Sequence, residues 1–240
     1  MNKTQRILTS ALTNLVLVFT IIVVAVSTII DPAAVTASSV INGVIYTGDT
    51  NSKNVSLMIN VYWGTEYIDG ILKAFDDAGM KTTFFIGGTW AEKNQDTLQK
   101  IIDHGHEIGS HGYNHKDHDK LSSEQNYKEI SDTHNLIKQI TGKDMTLFAP
   151  PSGAYNSLTV ATATRLGYKT IMWTRDTIDW RDKDSSLIFT RATNKMKGGD
   201  LILMHPTEHT MKALPRILDY IKSEGLTCNS VSETIKGVIV

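Results

Sequence analysis

Short apolar runs alternate with amphipathic stretches from about residue 55 to residue 235. "VSLMINV" (55–61), "KTTFFIG" (81–87), "HEIGSH" (106–111), "MTLFAP" (145–150), "YKTIMWT" (168–174), "DLILMHP" (200–206) and "LTCNSVS" (226–232) are brief, and most are rich in apolar or β-branched residues. Runs of that length between turn signals read as strands. Between them, residues 66–79 space Ile68, Ile71, Leu72 and Phe75 as one face of a helix, and Gly79 supplies the stop. Residues 90–105, 122–142, 156–167, 186–199 and 209–225 read as further helices, several closed by glycine. Strand following helix in this way predicts a parallel sheet with crossover helices. The polar residues that interrupt the pattern fall just past strand ends: Asn60, His111 with His115, the Pro150–Gly153 turn, Asp176 with Asp179, and His205. Contributions from that many strand ends favour a (β/α)7 barrel, closed or nearly closed, with its site at the carboxyl face, over an open sheet.

The first thirty residues follow another rule. Lys3 and Arg6 precede an uncharged run from Ile7 to Ile30, longer than the apolar part of a secretory signal and long enough to span a bilayer. The expected organisation is a cytoplasmic N-terminus (1–6), a transmembrane signal-anchor helix (7–30), a linker (31–54) holding one short strand, and a single domain (55–235) outside the membrane. Cleavage near Ala37, with secretion, is the alternative.

A formal net charge of −1 gives no electrostatic case for a nucleic-acid partner. The single cysteine, Cys228, excludes an internal disulfide and a cysteine-rich zinc module.

Three constellations carry candidate chemistry. His111 and His115 lie four apart in "SHGYNH"; they are either a pair of metal ligands or two surface imidazoles in a polar loop. Asp176 and Asp179 in "WTRDTIDWRD" either orient a histidine or dress a helix start. His205 ends the apolar strand "LILMHP" and reads as a general acid or base, or as a hydrogen-bonded rim histidine.

Taken in order, "TTFFIGG", "HGHEIGSHGYNH", "FAPPSGAY", "DTIDW" and "LILMHP" resemble the NodB-homology polysaccharide deacetylases, carbohydrate esterase family four. The resemblance covers Val55 to Ser232 and implies a distorted (β/α) barrel. It also implies hydrolysis of N-acetyl carbon–nitrogen bonds of cell-wall polysaccharide, assisted by a divalent metal, usually zinc. On that resemblance His111 and His115 are metal ligands, His205 is the leaving-group acid, and Asp179 tunes it. Tyr155, Trp180 and Pro151 line the sugar groove.

The resemblance breaks at the first motif, where the family carries two adjacent aspartates. Here "MINVYWG" places Asn60 at the general-base position and Val61 at the metal-binding position, and Ala149 replaces an arginine that orients the base. An amide does not accept a proton as a carboxylate does, and valine ligates nothing. Glu66, six residues after Asn60, is the candidate for a substitute ligand, or else a helix-start glutamate. Two accounts of function result: an N-acetyl hydrolase with a rebuilt site, and a catalytically silent homologue that binds glycan or a cell-envelope partner.

Overall fold

The computed structural model describes residues 40–238 together with Gln5, Val16 and Val18. The expected cytoplasmic N-terminus, membrane segment and cleavage point otherwise lie outside the described residues. Among those residues no helix is long and apolar enough to cross a membrane. Residues 40–238 form one compact unit.

The strands are β1 (Val40–Ile41), β2 (Val44–Ile45), β3 (Asn54–Val61), β4 (Thr83–Ile86), β5 (Glu107–Ser110), β6 (Leu147–Phe148), β7 (Lys169–Ile171), β8 (Arg175–Asp176), β9 (Leu201–Met204) and β10 (Thr227–Cys228). The sheet runs β1-β2-β7-β6-β5-β4-β3-β9-β8, with β10 paired to β3. Every pairing except β1 with β2 is parallel. The helices are α1 (Ile68–Ala78), α2 (Gly88–Lys93), α3 (Gln95–Asp103), α4 (Ser123–Thr141), α5 (Ser157–Arg165), α6 (Ser185–Thr193), α7 (Glu208–Ser223) and α8 (Val231–Thr234).

The α/β class read from the periodicity is present, in the form of a curled half-barrel. Three details of the expected (β/α)7 barrel are corrected. The single strand expected over 168–174 gives way to β7 and β8, with no helix between them. Instead, residues 169–176 run on as one segment that bonds β6 at its start and β9 at its end. The last expected strand, 226–232, shortens to Thr227–Cys228 and then turns into α8. The single helix expected over 90–105 breaks at Asn94 into α2 and α3. In addition, part of the expected linker belongs to the sheet: β2 pairs with β7 and buries Val44 and Ile45.

Side chains of a strand alternate between faces, and β3 shows what that does here. Leu57, Ile59 and Val61 pack outward into the helix-side core with Phe84, Ile86 and the apolar faces of α1 and α7. Met58 faces the inside of the curl with Phe85, Leu147, Ala149 and Leu201. The C-terminal turn fills the amino ends of the strands: Val231 donates its backbone N–H to Thr83 Oγ1 at 2.7 Å, and Val231 and Ile235 join the inner cluster. The interior is therefore packed shut at one end, and a cleft is left at the carboxyl ends.

Candidate functional site

The cleft measures about 320 Å³, and its walls include Asn60, His111, His115, Asp176, Trp180 and His205. They come from the ends of four strands, β3, β5, β8 and β9, or from the loops that follow them. Parity puts Asn60 there, because it shares the inner face with Met58.

His111 is buried, and its Nδ1 lies 2.8 Å from the Ala149 carbonyl oxygen. A carbonyl only accepts, so Nδ1 carries the proton and Nε2 keeps its lone pair. Burial drives the His111 imidazole well below its ordinary pKa, and the neighbouring His115 pushes the same way. His115 is also lowered, chiefly by burial. The two rings meet edge to face with centroids 5.1 Å apart.

The loop that carries them is pinned from below. Glu129 of α4 is buried and accepts from the backbone N–H groups of Tyr113 and Asn114 at 2.9 and 2.7 Å, and from Asn114 Nδ2 at 2.8 Å. Burial pushes the Glu129 carboxyl up, but the bonds from Asn114 and the Lys116 ammonium outweigh it and hold the group below its ordinary range. Gly112 has φ of +70°, and a Cβ there would sit 3.0 Å from His118 Nε2, so only glycine fits this turn. His115, Ser152 and Ile178 adopt φ of 53°, 56° and 55° at the three loops around the cleft. Non-glycine residues in that region are strained, and such strain gathers at functional sites.

Across the cleft, His205 Nδ1 donates to Asp179 Oδ1 at 2.8 Å and the His205 backbone N–H donates to Asp179 Oδ2 at 2.6 Å. Thr210 Oγ1 donates to the same Oδ2 at 2.5 Å. The pairing read from "DTIDW" and "LILMH" is thus formed, with the acid on the histidine.

Two aromatic residues tie the halves together. The Tyr62 ring lies almost flat on His115, with centroids 3.5 Å apart and planes at 23°. It also sits 5.9 Å from His111 and 6.5 Å from His205. Trp63 stacks on His205 at 5.3 Å. The sequence reading passed over both residues, and over Trp173 as cleft wall, while Ser152 belongs to the Pro150–Gly153 turn that it did single out. The available signal was an aromatic doublet directly after a buried strand.

Other expected site residues lie elsewhere. Glu66 is exposed and accepts from the Thr65 backbone N–H at 2.9 Å, a local turn contact. Tyr155 bonds Tyr46 through their hydroxyls at 2.5 Å beside the Val44 cluster. Pro151 is buried and opens the short 3-10 turn that presents Ser152. Val61 packs into the helix-side core. Among the described residues no three His, Cys, Asp or Glu side chains gather so as to hold a metal ion. The residues present therefore do not fit the zinc centre that the resemblance implies: of the three imidazoles on the cleft only His111 and His115 lie ring to ring, with centroids 5.1 Å apart, and Tyr62 covers the face of His115.

Residues 47–171 match the polysaccharide deacetylase family model. The chain is 38% identical to YlxY of Bacillus subtilis over 79% of its own length, and spans 59% of that relative. It is 28% identical to a peptidoglycan-N-acetylglucosamine deacetylase of Bacillus cereus, over 78% of this chain and 90% of that one. A CE4 family pseudoenzyme from Bacillus anthracis superposes with a TM-score of 0.79 at 34% identity, covering 82% of this chain and 70% of that one.

Proposed function

Because the chain belongs to the polysaccharide deacetylase family, we propose that it is a catalytically silent member that binds N-acetylated cell-wall glycan in this cleft. The observation that carries the reading is the end of β3. Val61 points into the helix-side core and Tyr62 lies flat on His115. Where a hydrolytic relative needs a base and a third donor, this chain has an amide and a hydrocarbon.

Binding has its own support. Trp180 is 55% exposed at the cleft rim, Trp173 lines the same cleft, and Trp63 stacks on the cleft residue His205. Flat apolar faces beside polar groups suit a sugar, which presents C–H faces and hydroxyl edges. The His111 lone pair and the His205–Asp179 pair supply the polar wall. The relatives described as acting on peptidoglycan N-acetylglucosamine favour a glycan of that class.

Calorimetric titration of the full chain with N-acetylglucosamine oligomers, run beside an assay of acetate release, tests this. Binding with no acetate is the expected result. Acetate release dependent on His111 would overturn silence, and the absence of binding would overturn the glycan reading.

The run Ile7–Ile30 after Lys3 and Arg6 supports a further part of the proposal: a single membrane anchor with the domain outside, facing the wall. Fractionation of cells expressing the chain with a C-terminal tag separates this from release after cleavage near Ala37. An anchored chain stays with membranes at full length.

A further inference from the structure

We propose that the cleft selects an amino sugar whose nitrogen has already lost its acetyl group, holding the ammonium among the Asp176 carboxylate, the Asn60 side-chain carbonyl and the His111 imidazole. The inference rests on the glycan reading above and names the state of the sugar at this one position; the rest of the glycan keeps its acetyl groups.

Three acceptors of the cleft wall are open to a donor. Asn60 Oδ1 is buried and takes no hydrogen bond from any described residue. Asp176 accepts the Ile178 backbone N–H through Oδ1 at 2.8 Å, and no described residue donates to its Oδ2. His111 Nε2 keeps its lone pair, because its Nδ1 proton is committed to the Ala149 carbonyl. A buried polar group left unpaired is costly, so an occupant that supplies donors recovers what the free protein forgoes.

Charge and shape narrow the occupant. Among the described residues that line the cleft there is a carboxylate, and there is neither lysine nor arginine. Tyr62, Trp173 and Trp180 add three aromatic rings, and ring faces attract a cation. An ammonium brings three N–H donors and a positive charge. An acetamido group brings one donor, no charge, and a carbonyl oxygen that the Asp176 and His111 acceptors repel.

Free amino groups on such a glycan arise by hydrolysis. Water cleaves the acetamide C–N bond, acetate leaves, and the amine takes up a proton. A hydrolase of that class must therefore act before this chain binds. Reading the product of that reaction needs neither a base nor a metal, in keeping with the amide at Asn60 and the hydrocarbon at Val61.

The test titrates the full chain at neutral pH with two tetramers, tetraglucosamine and N-acetylchitotetraose, in about 0.15 M salt to screen distant charges. The unmodified protein is expected to bind tetraglucosamine about tenfold more tightly, the size of one hydrogen bond to a charged group. Asp176→Asn, which keeps the shape, should remove most of that preference. Asp77→Asn, at an exposed carboxylate near the end of α1, should leave it unchanged. Circular dichroism and melting temperature establish that each variant is folded, and Asn60→Leu, which should also lower the preference, decides if Asp176→Asn does not fold. Equal or weaker binding of tetraglucosamine by the unmodified protein overturns the inference and leaves the glycan reading standing. A preference that survives in the folded cleft variants, or that falls as far in Asp77→Asn, comes from overall charge and overturns it too. Binding of neither tetramer overturns both.

Discussion

Asp179 holds His205 by two bonds at once, one to the ring and one to the backbone N–H of the same residue. The carboxylate thereby fixes the rotamer and the tautomer of the histidine together, and Thr210 at the start of α7 anchors the carboxylate in turn. Replacing Asp179 by Ala strands a buried N–H, a buried imidazole N–H and a hydroxyl. Hydrogen bonds to charged groups are worth about 1.5–3 kcal/mol, and removing one side of such a cluster is worse than removing both. Urea denaturation of Asp179→Ala should show a loss of about 3 kcal/mol or more. Thr210→Val should lose about 1 kcal/mol, because the carboxylate keeps its two bonds to His205. Equal losses would mean that the hydroxyl, rather than the histidine, needs the acid.

A second carboxylate does comparable work beneath the histidine loop. Glu129 satisfies two consecutive backbone N–H groups of a segment that turns through left-handed Gly112 and His115. Those amides have no sheet to pair with, so Glu129→Ala should destabilise the protein by about 3 kcal/mol. It should also disorder the loop, read as faster hydrogen exchange at Tyr113 and Asn114. Lys116 reaches the same carboxylate from a half-exposed position, and Lys116→Met should change stability by less than about 1 kcal/mol.

Much of this was readable from the chain. The polar residues at strand ends located the cleft, and "DTIDW" with "LILMH" forecast the Asp179–His205 pair. What escaped was set by parity and by distance. Whether Val61 faces the cleft or the helices depends on the register of β3, which the residue type alone does not reveal. Glu66 lies six residues from Asn60 in sequence, yet its carboxylate turns back onto Thr65. Residues 168–174 read as one strand, but the segment 169–176 serves two neighbours because the sheet curls. Curvature of that kind is a property of the whole sheet and leaves no local mark.

His106 gives the stability of the domain a pH dependence. Its Nδ1 accepts the Thr82 backbone N–H at 3.2 Å, its Nε2 is buried without a partner, and its ring packs between Phe75 and Phe84. Burial lowers its pKa from 6.5 to about 4. As pH falls, the unfolded chain takes up the proton first, so the contribution of neutral His106 is complete above about 6.5 and is lost progressively down to about 4. The loss is about 3 kcal/mol over that window, at 1.36 kcal/mol per pH unit. Denaturation curves at pH 7 and pH 4.5 should differ accordingly. Asn at 106 keeps an acceptor for Thr82 and does not titrate, so His106→Asn should flatten the difference.

The last two strand residues of β3 make unequal forecasts for an introduced acid. Val61 is fully buried among Leu57, Ile59, Phe84 and Ile86, with the helices beyond. An aspartate there is a charge in hydrocarbon with no partner, and Val61→Asp should cost about 3–5 kcal/mol or prevent folding. Asn60 is also buried, at 2% exposed, but it lines the cleft rather than the hydrocarbon core, so Asn60→Asp should cost about 2–3 kcal/mol, less than Val61→Asp. Zinc separates the two further. Equimolar zinc should leave the melting temperature of the unmodified protein unchanged, and metal analysis after purification should find well under one equivalent, because two imidazoles alone make a weak site. If Val61→Asp folds, binds one zinc and melts higher in its presence, then residue 61 reaches the histidines and the outward packing of Val61 described here is wrong.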